Sequence, residues 1–412
     1  MKTSTSRILT THTGSLHRPP DLEELFRRKL AGEPYEEGAL EARLRSGVAE
    51  IVRKQAEIGI DIVDDGEYSK VDFFSYAKYR LDGLERRTIQ PGPGVSANKF
   101  LHPSMKSVMS SLALRQRFAE FYADTEPATG VTTPPSVVQM YLPVGSAVEP
   151  PAVYAVVGPL KYKRQEITRD IANLKAALPG VKVEEVFMPA VAPAMWADRH
   201  ANEHYASEEQ YYAAVAEVLN QEYRAIVDAG FLLQIDDVSM PGRYRVQVAR
   251  EGMAAFKKWM GLAVEAQNAA LNGIPPEKVR YHMCWASQNA PHTDDAPLTE
   301  LIDAILAINA QGYQLEAANV RHEHEWKVWK DVKLASDKIL MPGVICHATN
   351  VIEHPDYVAE RIMRYTGIVG RERVIAATDC GFRWRVHPQI AWAKMEALVA
   401  GAAIASKELW RK

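Results

Sequence analysis

Two periodicities alternate along this chain. Short apolar, β-branched runs that close on polar or turn residues give way to longer stretches whose apolar residues recur every three or four positions. Eight of the short runs predict strands: 8–15 (ILTTHTGS), 60–67 (IDIVDDGE), 183–193 (VEEVFMPAVAP), 231–238 (FLLQIDDV), 279–286 (VRYHMCWA), 313–320 (YQLEAANV), 339–346 (ILMPGVIC) and 373–380 (RVIAATDC). Between them, stretches such as EEGALEARLRSGVAEIVRKQAEIG and HPDYVAERIMRYTGIVG carry helical spacing and a glycine near their C-terminal ends. Strand then helix, eight times over, predicts an α/β fold of the (β/α)8 TIM-barrel type. The interval 68–182 is too long for a plain connection. It holds IQPGPGVS and TTPPSVVQMYLPVGSAVEPPAVYAVVGP, and reads as an insertion between strands two and three with its own hairpin. Residues 1–412 are therefore expected to form a single barrel carrying one insertion.

Composition narrows the class. With 47% hydrophobic and 25% charged residues, the chain has an ordinary globular balance and can bury a large core. A formal net charge of -3 supplies no field that would draw in nucleic acid or an anionic membrane surface, so the expected partners are small molecules. No run approaches the roughly 18 apolar residues of a membrane span. The start MKTSTSRILTTHTGS lacks a secretory apolar centre, so the expected address is the cytoplasm. A homodimer is the base-rate expectation for assembly. The three cysteines, Cys284, Cys346 and Cys380, make no disulfide framework but can supply thiolates to a metal.

In a TIM barrel, active sites are built at the C-terminal ends of the strands, and the polar residues of this chain collect there. His12, Gly14 and Ser15 end the first predicted strand, Asp64, Asp65 and Glu67 the second, Asp236 and Asp237 the fourth. The fifth carries His282 and Cys284, the sixth Glu316, the seventh Cys346 and His347, the eighth Asp379 and Cys380. His282 and Cys284 stand at i and i+2, so strand alternation turns both toward the lumen. Alone, that pair fits a core histidine beside a small buried cysteine. With Glu316 and Cys380 converging from later strand ends, the set His282, Cys284, Glu316 and Cys380 suits tetrahedral Zn2+. Cys346 and His347 are adjacent, so a regular strand turns only one inward, and His347 is expected to be that one. RHEHEW (321–326) falls where a helix should begin; His322 and His324 are expected to lie in a solvated first turn, outside the metal set.

Seven stretches in order now carry a resemblance: THTGSLHRP, DDGEYSKVDFFSY, LQIDD, HMCWAS, LEAANVRHE, PGVICHATNVIE and TDCGFRWR. Over nearly its whole length the chain resembles the cobalamin-independent methionine synthase family, in the form of that family's C-terminal catalytic barrel standing alone. The resemblance implies zinc on His282, Cys284, Glu316 and Cys380, homocysteine held by Ser15, Glu67 and Asp236, and His347 as proton donor to the leaving nitrogen of 5-methyltetrahydrofolate. The chain departs from the family pattern where GVYDIHSP becomes GVICHATN, QIDEPA becomes QIDDVSM and DCGLKTR becomes DCGFRWR. The family's other, folate-holding barrel has no counterpart in these stretches.

The chemistry accounts for the residue types. A free thiol of pKa about 8.5 is mostly protonated at neutral pH, and a bound Zn2+ favours its anion. Burying the ammonium of an amino-acid thiol calls for carboxylates, a need Glu67 and Asp236 meet. A methyl group leaves a tertiary amine only as the nitrogen is protonated, a role open to His347. Trp285, Trp326 and Trp384 flank the strand ends and offer either stacking faces for a pterin or rim packing. The expected partners are thus a small thiol and a methyl or alkyl donor. Two alternatives keep the zinc: a thiol such as coenzyme M that opens an epoxide, its sulfonate met by Lys70, Arg383 or Arg385, and a methylcorrinoid donor. A third makes the zinc purely structural.

Overall fold

The strand-and-helix alternation closes into a ring. The computed structural model describes residues 1–72, 76–88, 112–121, 152–287, 289 and 291–411. IQPGPGVS, the TTPPSVVQMYLPVGSAVEPP portion of the second stretch and residues 73–75 of the DDGEYSKVDFFSY motif lie outside the described residues. The strands among them are β1 (Leu9–Thr10), β2 (Ile62–Val63), β3 (Leu81–Thr88), β4 (Ala152–Tyr162), β5 (Glu185–Val191), β6 (Ala201–Asn202), β7 (Leu232–Asp237), β8 (Val279–Met283), β9 (Gly312–Leu315), β10 (Ile339–Ile345) and β11 (Ile375–Thr378). Eight of these hydrogen-bond in parallel in the order β1-β11-β10-β9-β8-β7-β5-β2, and a Thr11–Ile62 bridge joins the two ends. The fold is a TIM barrel, as the alternation predicts. Between β2 and β5, the antiparallel pair β3–β4, with β6 parallel to β4, forms a separate three-stranded sheet.

Each predicted strand runs past the observed ladder, chiefly at its C-terminal end. There the backbone amides turn to side chains: Gly66 and Glu67 donate to Asp64 and Asp65, Ser239 to Asp237, Ala317 and Ala318 to Asp379. The acids that end the strands therefore also shape the loops. Two of the following helices begin on a histidine–proline pair. The Nδ1 atoms of His354 and His387 accept the amides of Asp356 and Gln389, while Pro355 and Pro388 sit where a helix has no use for an N–H.

Period-two alternation sorts the barrel into layers. Leu9, Ile62, Phe187, Leu232, Ile339, Met341, Ile375 and Ala377 form an apolar cluster of their own, separate from the core between strands and helices that takes Leu233, Ile235, Tyr281, Met283, Tyr313 and Leu315. Above that floor lies a polar belt. Arg280 donates to Thr11 Oγ1 (2.8 Å) and the His12 carbonyl (3.0 Å), stacks over Phe187 and bonds Gln314, which in turn reaches Thr13 and Thr378. Gln234 of β7 reaches the Thr13 carbonyl in the same belt, and two residues further along these three strands come Asp236, His282 and Glu316. The chemistry thus rests on a hydrogen-bonded polar belt.

A second polar cluster ties the β3–β4 excursion to the barrel. Arg80, 2% exposed, meets Asp170 at 2.5 Å and Glu222 at 2.9 Å, and Glu222 also accepts the hydroxyls of Tyr76 (2.7 Å) and Tyr162 (2.8 Å). Arg80→Leu would leave buried Glu222 without its cation and Asp170 with Arg169 alone, and is expected to destabilise the protein by about 3–5 kcal/mol. The urea midpoint measures this directly; an unchanged midpoint would mean the cluster is energetically neutral. None of the described helices is long and apolar enough to cross a membrane.

Candidate active site

The parallel register sets Asp236 of β7 beside His282 of β8, and His282 beside Gln314 of β9. Cys284, one residue past β8, extends the ladder by donating its amide to Asp237. Ligand atoms of His282, Cys284 and Cys380 all lie within 4.8 Å of one another, as do those of Glu316, His347 and Asp379. The two groups adjoin, since Cys284 Sγ stands 2.9 Å from Glu316 Oε1. The four residues expected to hold a metal therefore come together, Glu316 through Cys284 and not as a member of the tighter trio. Burial pushes the Cys284 thiol well above its ordinary pKa. Its hydrogen bond to Cys380 holds the Cys380 thiol well below. Neither ring nitrogen of the buried His282 has a hydrogen-bond partner.

His347 is fully buried, and its Nε2 lies 3.0 Å from the Ser287 carbonyl. A carbonyl only accepts, so the proton sits on Nε2 and leaves Nδ1, buried without a partner, as the free lone pair. Burial lowers the His347 pKa and keeps the ring neutral. Cys346 points elsewhere: its amide donates to Glu353 and its thiol accepts from the Ala348 amide.

The other expected residues gather beside this cluster. Glu67 is 2% exposed and adopts φ 56°, a conformation that costs energy outside glycine. Ala286 and Trp384 share it, and all three stand in loops after site strands. Burial, then the charge of Glu67, pushes Asp236 up to about 8; burial likewise raises Glu67, against the pull of Lys70 and Arg383. These are two buried carboxylates for which a cation is the natural complement. Lys70 already gives Glu67 one, its Nζ standing 3.6 Å from Glu67 Oε2. Lys70 Nζ donates to the Pro189 carbonyl at 2.6 Å, and Arg383 to the Lys70 carbonyl (3.1 Å) and Glu23 (3.4 Å). Ser15 accepts the amides of Phe382 (2.9 Å) and Arg383 (3.1 Å) on its carbonyl, stitching the first strand's loop to the last. Gly381 lies so close to Ser15 that an added Cβ would come within 2.8 Å of the Ser15 Cβ.

Residues 145–403 match the family described as the catalytic domain of cobalamin-independent synthases. The chain belongs to this family. It is an enzyme of the methyltransferase type. It is 23% identical over 408 residues to a methionine synthase from Thermococcus kodakarensis, covering 98% of this chain and 95% of that protein. It is 28% identical over 232 residues to a 2-hydroxypropyl-CoM lyase from Xanthobacter autotrophicus, covering 50% of this chain and 57% of the lyase. Among solved structures it resembles a B12-independent methionine synthase from a Shewanella species in complex with selenomethionine, with TM-score 0.68, 19% identity, and coverage of 98% of this chain and 100% of that one.

Sequence reasoning placed Asp379 at a strand end without a role and passed over Gly343 and Asn319, all three of which organise this synthase-family site. Asp379 Oδ1 accepts the amides of Ala317 (2.7 Å) and Ala318 (2.8 Å), fixing the backbone just after Glu316. Gly343 is the reason Asp379 fits, since a Cβ there would fall 2.7 Å from the Asp379 Cα. Asn319 donates to Glu316 Oε2 (2.6 Å) and the Trp285 amide to Oε1 (2.8 Å). The N-x-x spacing behind Glu316 was visible, but nothing local marked it as a carboxylate holder. Trp285 is 1% exposed, with its indole N–H on the Ala296 carbonyl at 2.7 Å; it packs and offers no stacking face.

Proposed function

We propose that this chain is a zinc-dependent S-methyltransferase that moves a methyl group from 5-methyltetrahydrofolate to homocysteine or a closely similar aminothiol. The observation that carries the reading is the meeting of two unlike groups. A soft donor trio, His282, Cys284 and Cys380, lies next to the buried carboxylates Glu67 and Asp236.

The donor set fits zinc: two thiols and an imidazole whose buried nitrogens have no partner, with Glu316 at 2.9 Å from one thiol. His282, Cys284, Glu316 and Cys380 would hold the metal, which when bound would favour the thiolate of the acceptor over its thiol. Glu67 and Asp236 would take the acceptor's ammonium, and Ser15 borders the same space. His347, held by Ser287 with Nδ1 turned free, carries the proton to the departing donor nitrogen. Its burial in a neutral state makes that proton easy to give up once acquired.

A second reading has one specific support. Arg385 Nη1 is buried without a partner, and the Arg385 charge acts on both Cys284 and His347. A sulfonate thiol could use that cation, and the lyase relative is named for coenzyme M. An assay separates the readings. Purified zinc-loaded protein is offered homocysteine or coenzyme M, each with methyltetrahydrofolate, methylcobalamin or a small epoxide. Thioether is expected only with homocysteine, and with the methylfolate as donor. Turnover restricted to coenzyme M and epoxide would remove methionine synthesis from the account.

A further inference from the structure

The RHEHEW stretch does not form the solvated turn that its position in the chain predicts. His324 is exposed, but His322 is 2% exposed and forms part of the wall behind the metal cluster. Its Nδ1 lies 2.8 Å from Glu325 Oε2 and its Nε2 3.7 Å from Asp295 Oδ2. Burial pulls the His322 pKa down, but the hydrogen bond to Glu325 and the charges around it raise it on balance. Both acids are anchored in turn. Glu325 Oε1 accepts the Leu298 amide (2.7 Å) at the start of helix Leu298–Leu306, and Asp295 binds Arg245, His292 (3.1 Å) and Arg321 (3.6 Å).

What His322 presses on is Trp285. The two ring centroids are 4.2 Å apart at 32°. Trp285 is fastened on its other sides as well: the indole N–H to Ala296, the carbonyl to Arg245 (3.3 Å), and the amide to Glu316 Oε1. With Asn319 on Oε2 and Cys284 beside Oε1, both oxygens of Glu316 have fixed partners.

We propose that His322 is a positioning residue for Glu316, held by its hydrogen bond to Glu325 with Asp295 beside it, so that the Trp285 amide aims one carboxylate oxygen at the metal cluster. This rests on the zinc reading above. It gives the buried histidine of RHEHEW a role at one remove from the ligands, where an orienting partner sets metal affinity as much as it sets shape.

Zinc affinity, measured by chelator competition on purified protein, tests it. Relative to the parent, His322→Gln is expected to weaken zinc about 10–100-fold. Glu325→Gln can keep the bond to Leu298 on its one amide oxygen while turning an NH2 toward His322 in place of a charged acceptor; it is the gentler variant and is expected to weaken zinc less, in the same direction. In the cobalt-loaded proteins the visible absorption bands should shift, because the geometry at Glu316 changes. A fall in melting temperature with zinc affinity within twofold of the parent and an unchanged cobalt spectrum, in both variants, would overturn the proposal and leave His322 a packing residue. A parent protein that binds no zinc would instead bring down the zinc reading and this one with it.

Discussion

Cys380→Ser is expected to cost the protein more than about 100-fold in zinc affinity, and with it nearly all methyl transfer. The bound follows from comparison, since losing an orienting partner outside the ligand set already costs 10–100-fold. Removing a ligand must cost more. Cys380 is the thiol most readily held as an anion, with Cys284 and then His282 beside it lowering its pKa, and a serine hydroxyl stays protonated and hard in the same place. The natural control is Cys346→Ser, because Cys346 points at the Ala348 amide and away from the cluster. Metal content after dialysis, measured by mass spectrometry, should fall for Cys380→Ser and hold for Cys346→Ser. Full zinc in the first variant would show that the ligand set is wrong, whatever its activity.

The second large effect is expected at the polar end of the acceptor. Glu67→Gln keeps the shape and the left-handed backbone position but gives up the charge that an ammonium would meet. A hydrogen bond to a charged group contributes about 1.5–3 kcal/mol, so kcat/KM for homocysteine should fall roughly 10- to 150-fold. Zinc content should not change. Glu67 is a cleaner probe than Asp236, which is register-paired with His282 and cannot be altered without touching the metal cluster. A thiol of the same length without the amino group supplies the contrast: its kcat/KM should be nearly the same with either protein. Equal losses for both thiols would mean that Glu67 holds the loop and not the ammonium.

Much of this site could be read from the order of residues, and the exceptions share a cause. HMC gave its answer locally, because residues two apart on a strand face the same way whatever surrounds them. His282 and Cys284 accordingly meet in the cluster, with Met283 turned out to the core. RHEHEW misled for the same local reason: a polar run at a helix start normally faces water. Here Asp295, almost thirty residues earlier in the chain, returns to receive His322 and Arg321, and no periodicity records that. Strand ends were overdrawn because the predicted runs take in the polar residues that close them, where the backbone amides have already turned to Asp64, Asp237 and Asp379.

By itself, the sequence determined the alternating strand and helix, the inward set along each strand, and the kinds of donor available at the barrel mouth, since all of these depend on periods of two and 3.6 residues. Only the tertiary structure decided which donors meet. Pairing β11 with β1 through Leu9–Ile375 and Thr10–Ala376, in a ring that Thr11 and Ile62 close on the side of β2, brings Cys380 to the neighbourhood of Ser15, Glu67 and His282. Whether a carboxylate is a ligand, a loop anchor or a counter-ion depends on the register of strands far apart in the chain. That register is a property of the closed barrel.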